Sequence, residues 1–250
     1  MSGRKWQLNI NVTKCNILHL GKKNPKFSYF INNNIIHAAD HVRDLGVEID
    51  SNLVFNYHIN NILTKAYQRI AVLFKGFVFR DSRLLTKAYV VFVRPILEYC
   101  SSVWSPFKIA DIDAIEKVQK YFTRKLYGLN TFCYKDRLFI LDLESLELRR
   151  LKFDLIMYFK IFNNFVDMDS SVFFKLSKNV YNVRTENKLK LHKPAFGNNN
   201  FENSFAIRCI DCWNWLPDDV INSASVSIFK QKLNNLNFDK FLKGRALGDI

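Results

Sequence analysis

Three groups of cations stand at spacings that suit phosphate binding. Lys117, Lys120 and Arg124 recur at three- and four-residue steps, so a helix would carry them on one face. Arg149, Arg150 and Lys152 fall in the first two turns of a second expected helix. There they oppose the helix dipole, so helix stability does not explain their position. Arg184, Lys188, Lys190, His192 and Lys193 interleave with Leu189 and Leu191, a pattern that would give a one-faced basic ribbon. Such side chains bind phosphate oxygens and give affinity without sequence choice. The alternative for each group is an ordinary solvated face.

Other reactive residue types are poorly arranged for catalysis. Cys209 and Cys212 have the spacing of half a zinc site. Structural zinc needs four ligands, usually as two pairs, and no second Cys or His pair is near. Buried free thiols are the expectation. Asp218 and Asp219 follow Pro217 in a surface turn, and metal catalysis needs a convergent site, so no catalytic role is expected for them. His58 and His192 lack partners for acid–base work, and neither a Ser-His-Asp set nor a Gly-rich phosphate loop stands out. Trp104, Trp213 and Trp215 are expected to pack between helices rather than stack on bases.

The elements that must position these residues are mainly helices. Ile59, Ile62, Leu63, Ala66, Ile70 and Leu73 repeat at helical steps over 56–79. Asp81 or Ser82 can cap a helix that runs to about Trp104, kinked at Pro95. A third helix is predicted over 109–127, closed by Gly128, with Ile112, Ile115, Val118, Phe122 and Leu126 inward. A shorter one covers 134–141, and a longer one follows from Ser145. Further helices are expected over 201–215 and from Ser225. Before them, residues 6–50 read as short strands: Cys15–Leu20, a strand with Phe27, Tyr29 and Ile31 alternating, a turn at Asn32–Asn34, and Leu45–Ile49. The fold class is therefore α+β, predominantly α-helical. It has a small N-terminal β-hairpin and strand region (1–54), a helical bundle (55–166) and a C-terminal basic loop with helices (167–250).

Composition agrees with a folded, polyanion-binding chain. The 250 residues are 48% hydrophobic and 15% aromatic, enough for a sizeable core. Lys and Arg number 37 against 23 Asp and Glu, a formal charge of +14. That balance favours a nucleic-acid partner. The five cysteines are scattered, which does not resemble a disulfide framework. No apolar stretch reaches the roughly 20 residues that span a bilayer, and the first residues lack a signal core. An intracellular protein of nucleus or cytoplasm, neither secreted nor membrane-bound, is expected.

An ordered set of segments carries a family resemblance. Trp6–Gly21, Asp44–Asp50 followed by His58 and Ile59, and Val93–Trp104 are three of them. Glu116–Lys120 with Thr123 and Arg124, Leu143–Leu151, Trp213–Pro217 and Phe229–Leu233 complete the set. In this order they resemble the palm edge, primer grip and thumb of non-LTR retrotransposon reverse transcriptases of the jockey-like and chicken-repeat-like type. The resemblance implies an RNA-directed DNA polymerase of a transposable element, here truncated. Its retained role would be to hold an RNA/DNA primer–template duplex, or other nucleic acid, through the thumb domain. Family enzymes use Mg²⁺ held by palm carboxylates. Those ligands are expected upstream of this chain, so no metal, cofactor or catalytic residue is expected within it, and missing polymerase domains are expected partners. Lys14 stands where the family's motif D places a basic residue near the incoming nucleotide. Without a palm it would be a surface lysine. The rival readings are a helical protein-interaction module and a decayed mobile-element relic.

Overall fold

The computed structural model describes residues 10–21, 23–77, 81–177, 189–195 and 199–244. The chain is a predominantly helical α+β protein, with short strands first and helices after them. It divides into two units, Met1–Asn61 and Ile62–Ile250. The segments expected as 55–166 and 167–250 therefore fall, from Ile62 onward, in one unit.

The first unit holds β1 (Asn16–Leu18), β2 (Phe30–Ile31), β3 (Asn34–Ile35), β4 (His37–Ala39), β5 (His41–Asp44) and β6 (Val47–Asp50). They pair two by two: β1 with β4 in parallel, β2 with β3 and β5 with β6 as antiparallel hairpins. Asn32 and Asn33 turn the β2–β3 hairpin at φ 49° and 63°, the left-handed backbone that asparagine tolerates. The alternating Phe27 and Tyr29 do not form a half-buried strand. Their exposures are 66% and 52%, because ladders this short bring no opposing layer over them. Asp50 ends the last strand, and its carboxylate accepts from the backbone N–H groups of Asn52, Val54 and Phe55. That turn leads into α1 (Asn56–Gly76), which begins in this unit and continues in the second.

In the second unit the expected helix over 82–104 is three pieces: α2 (Ser82–Phe92), α3 (Arg94–Glu98) and α4 (Ser101–Trp104). Pro95 lacks an N–H and clashes with the preceding turn, so it begins a helix instead of continuing one. Cys100, at φ 52°, makes the second break. Then come α5 (Ile109–Arg124), α6 (Tyr134–Ile140) and α7 (Leu146–Phe162). Ser145 caps α7, its hydroxyl accepting from the Leu148 N–H at 3.2 Å. Ser145→Ala is expected to lower stability by about 1 kcal/mol in chemical denaturation, as loss of one cap does. No change in the midpoint would discount the cap.

Short helices follow: α8 (Ser170–Phe173), α9 (Asn199–Glu202), α10 (Phe205–Arg208), α11 (Ile210–Trp215), α12 (Asp218–Ile221) and the longer α13 (Val226–Asn234). The helix expected over 201–215 is thus split into short turns. The aromatic residues of this region close one core with α7. Phe159 stacks on Phe229 at 4.3 Å between centroids, and Tyr158 packs on Trp213 and Phe174. Trp104 and Trp213 are fully buried, as packing residues should be. Leu176 and Leu191 form an antiparallel bridge beside this core. No helix among the described residues is long and apolar enough to cross a membrane.

Candidate nucleic-acid interface

The inward face of α5 decides what its outward face presents. Ile112, Ile115, Val118 and Phe122 are buried, as the apolar spacing predicts. Two polar side chains are buried with them. Glu116, 1% exposed, accepts from the Tyr134 hydroxyl and from the backbone N–H groups of Leu146 and Glu147. It thus places a carboxylate at the N-terminus of α7, where the helix dipole favours negative charge. Gln119 accepts from the Tyr89 hydroxyl at 3.1 Å and donates to Tyr134 and to the Glu144 carbonyl. These contacts fix α5 against α2, α6 and α7, so its rotation about its own axis is set.

With that rotation fixed, Lys117 and Arg124 are exposed, seven residues apart on one side of the helix. Among the described residues neither is in an ion pair. Lys120 is half-buried. Its ammonium lies 5.2 Å from the Tyr134 ring centroid, so it covers a neighbour instead of standing free. Two residues that the sequence reading missed complete the face. Tyr121 is exposed between Lys117 and Arg124, and Lys125 at the end of α5 lays its ammonium 4.6 Å from the Tyr121 centroid. Tyr67 on α1 meets Tyr121 edge to face at 5.5 Å, and Lys75 is exposed further along that helix. Sequence holds a signal for this: no Asp or Glu lies between Asp50 and Asp81, while Lys65, Arg69, Lys75 and Arg80 do. A helix without acids beside a basic stripe is a surface with little to repel phosphate.

The second expected group is not part of this face. Arg149 grips Glu98 with two hydrogen bonds and approaches Glu144 at 3.8 Å. Lys152, 7% exposed, binds Glu144 and the side-chain oxygen of Asn234 at 2.9 Å. Arg150 is 2% exposed. Burial pushes its guanidinium pKa down, and Glu116 and Glu147 oppose that shift. Arg149 and Lys152 join α7 to α3 and α13 through Glu98, Glu144 and Asn234, while the buried Arg150 has neither Nη atom hydrogen-bonded among the described residues, so Arg150 and Lys152 are not available to phosphates. Their awkward position near the α7 N-terminus has this tertiary cause.

Of the third group, Arg184 and Lys188 lie outside the described residues. Lys190 is half-buried and its carbonyl accepts from the Ser177 N–H. Lys193 is exposed and paired with Asp211. Lys14 is exposed at the end of a short 3₁₀ turn. Cys209 and Cys212 are buried free thiols. Burial pushes the Cys212 thiol up to about 12, and the Cys209 thiol well above its ordinary value through burial and the Asp154 carboxylate beside it. Asp154 itself is held by two hydrogen bonds from Arg208. Among the described residues no three His, Cys, Asp or Glu side chains gather as a metal ion would require. Asp219 pairs with Lys232 at the surface.

No family model matches the chain, and no solved structure matches it. It is similar to an uncharacterized protein of Caenorhabditis elegans, 29% identical over 113 residues. That match takes in 44% of this chain and 57% of the worm protein, so it spans little more than half of that relative.

Proposed function

We propose that the helical unit holds nucleic acid through the α1–α5 face, as the thumb of a non-LTR retrotransposon reverse transcriptase holds its RNA–DNA duplex. The observation that carries the reading is the set of Lys117, Arg124 and Lys125 on one helix, beside a helix that has no acidic residue. The ordered resemblance of Val93–Trp104, Glu116–Arg124 and Leu143–Leu151 to that family supports it independently. In this role the chain would position a duplex by its phosphates and leave sequence choice to base pairing. The family's other polymerase segments would be its natural partners.

Affinity for an RNA–DNA duplex should follow counterion release. With three to four phosphate contacts, the slope of log affinity against log salt is expected near about −3. Raising salt from about 50 to about 200 mM would then weaken binding by roughly 60-fold. Titration by fluorescence anisotropy at several salt concentrations measures it. A flat salt response, or no binding at low salt, would sink the reading.

A second reading, a helical interaction module, rests on one observation. Tyr127 and Phe139 are each 88% exposed, and they would mark a partner surface if they share one contiguous apolar patch. It predicts capture of a protein whose binding does not respond to the α5 charges.

A further inference from the structure

We infer that Tyr67 and Tyr121 form a platform that stacks an unpaired base of a single nucleic-acid strand. This rests on the nucleic-acid reading above and adds what kind of strand the face prefers. The two rings lie 5.5 Å apart and 72° from parallel. Such an edge-on pair uses up one ring face, and the Lys125 ammonium over Tyr121 takes another. Those contacts take two of the pair's four ring faces, and each tyrosine remains 38% exposed beside exposed cations. Two other tyrosines of the unit are core residues instead. Tyr89 and Tyr158 are fully buried, with hydroxyls hydrogen-bonded to Gln119 and to the Phe205 carbonyl.

A duplex gains little from such rings. Its bases are already stacked and it offers phosphates and base edges. An unpaired base offers a π face, and a basic surface with aromatic side chains is the usual way to hold a single strand. The placement fits: on α5, Tyr121 comes one turn after Lys117 and just before Arg124 and Lys125. Cations there would hold the phosphates on both sides of the stacked base. The sugar takes no part in the ring stack, so DNA and RNA strands should bind alike.

The test compares a twelve-residue thymidine strand with an abasic strand of equal length and charge, using the whole chain at fixed salt. The wild type is expected to bind the thymidine strand about tenfold tighter, as one stacked base would give. A uridine RNA strand should match the thymidine strand. Tyr121→Leu and Tyr67→Leu should bring the ratio towards one. Tyr121→Phe should restore it, and melting curves check that each variant folds. If both strands bind but the ratio is near one, or the Leu variants keep it, the platform is refuted while phosphate holding stands. If neither strand nor a duplex binds at low salt, both ideas fail together.

Discussion

Changing Lys117, Arg124 and Lys125 together to glutamate is expected to lower affinity for an RNA–DNA duplex by at least about 100-fold at roughly 0.1 M salt. Three phosphate contacts are lost and three repulsive charges are gained in their place. The salt slope should become shallower by about 3, one unit for each contact removed. Lys117 and Arg124 contribute no ion pair among the described residues, so their reversal leaves the interior untouched. Lys125 loses its place over the Tyr121 and Phe74 rings, which is a small surface interaction. The variant should therefore stay folded by circular dichroism. A control reversal at Lys193, whose charge is already answered by Asp211, should change affinity far less. Equal losses in both variants would mean that general charge, and not the α5 face, does the holding. Under the interaction-module reading the triple variant would keep its protein partner, and that outcome favours the rival.

What the sequence disclosed about this face depended on how strongly each helix was patterned. On α5 the apolar residues at Ile112, Ile115, Val118 and Phe122 are frequent enough to fix the buried side, so Lys117 and Arg124 could be placed outside. Lys120 lies further round the helix, where Tyr134 shelters it. Nothing local to Lys120 foretells that contact. The cluster at Arg149, Arg150 and Lys152 is the clearest loss. Its opposition to the helix dipole read as a functional mark, but Glu98 and Asn234 lie far off in the chain and meet Arg149 and Lys152 only through folding. Tyr67 and Tyr121 lie off the apolar stripes of their helices, and nothing local to either residue foretells that the two rings meet. The short strands posed a different problem. Alternation at Phe27 and Tyr29 is a sound sign of a half-buried strand only if another layer covers it, and a hairpin of two-residue strands supplies none. The element types and the interruption at Pro95 followed from local pattern, and the break at Cys100 needed backbone geometry.

Replacing Glu116 should damage the fold more than any change on the exposed face. Its carboxylate serves three donors at once: the Tyr134 hydroxyl and the Leu146 and Glu147 N–H groups. Glu116→Ala leaves all three buried or half-buried without their acceptor, at about 1–3 kcal/mol for each donor left unsatisfied. A total loss near about 4 kcal/mol is expected in chemical denaturation, a large part of the stability of an ordinary domain. The pH response follows from the same contacts. Burial raises the Glu116 pKa above the ordinary glutamate value, and the Tyr134 hydroxyl, Arg150 and the α7 N–H groups only partly counter it. A carboxyl whose folded pKa is raised contributes stability in full below its unfolded pKa. That contribution is lost as pH rises through the folded value. Glu116→Gln keeps an oxygen for the α7 amides, offers an N–H to the Tyr134 oxygen and carries no charge. It should therefore cost far less than the alanine and should lack this fall in stability with rising pH. Denaturation midpoints from about pH 4 to about pH 8 decide the matter. An alanine variant as stable as the wild type would remove Glu116 from its place as the joint of α5, α6 and α7. A glutamine variant with an unchanged pH slope would assign the slope to another group. Because this carboxylate sets the rotation of α5, the alanine variant should also weaken nucleic-acid binding although Glu116 faces away from the strand. That loss should appear with a salt slope lower than the wild type's, as cations turned out of line release fewer counterions.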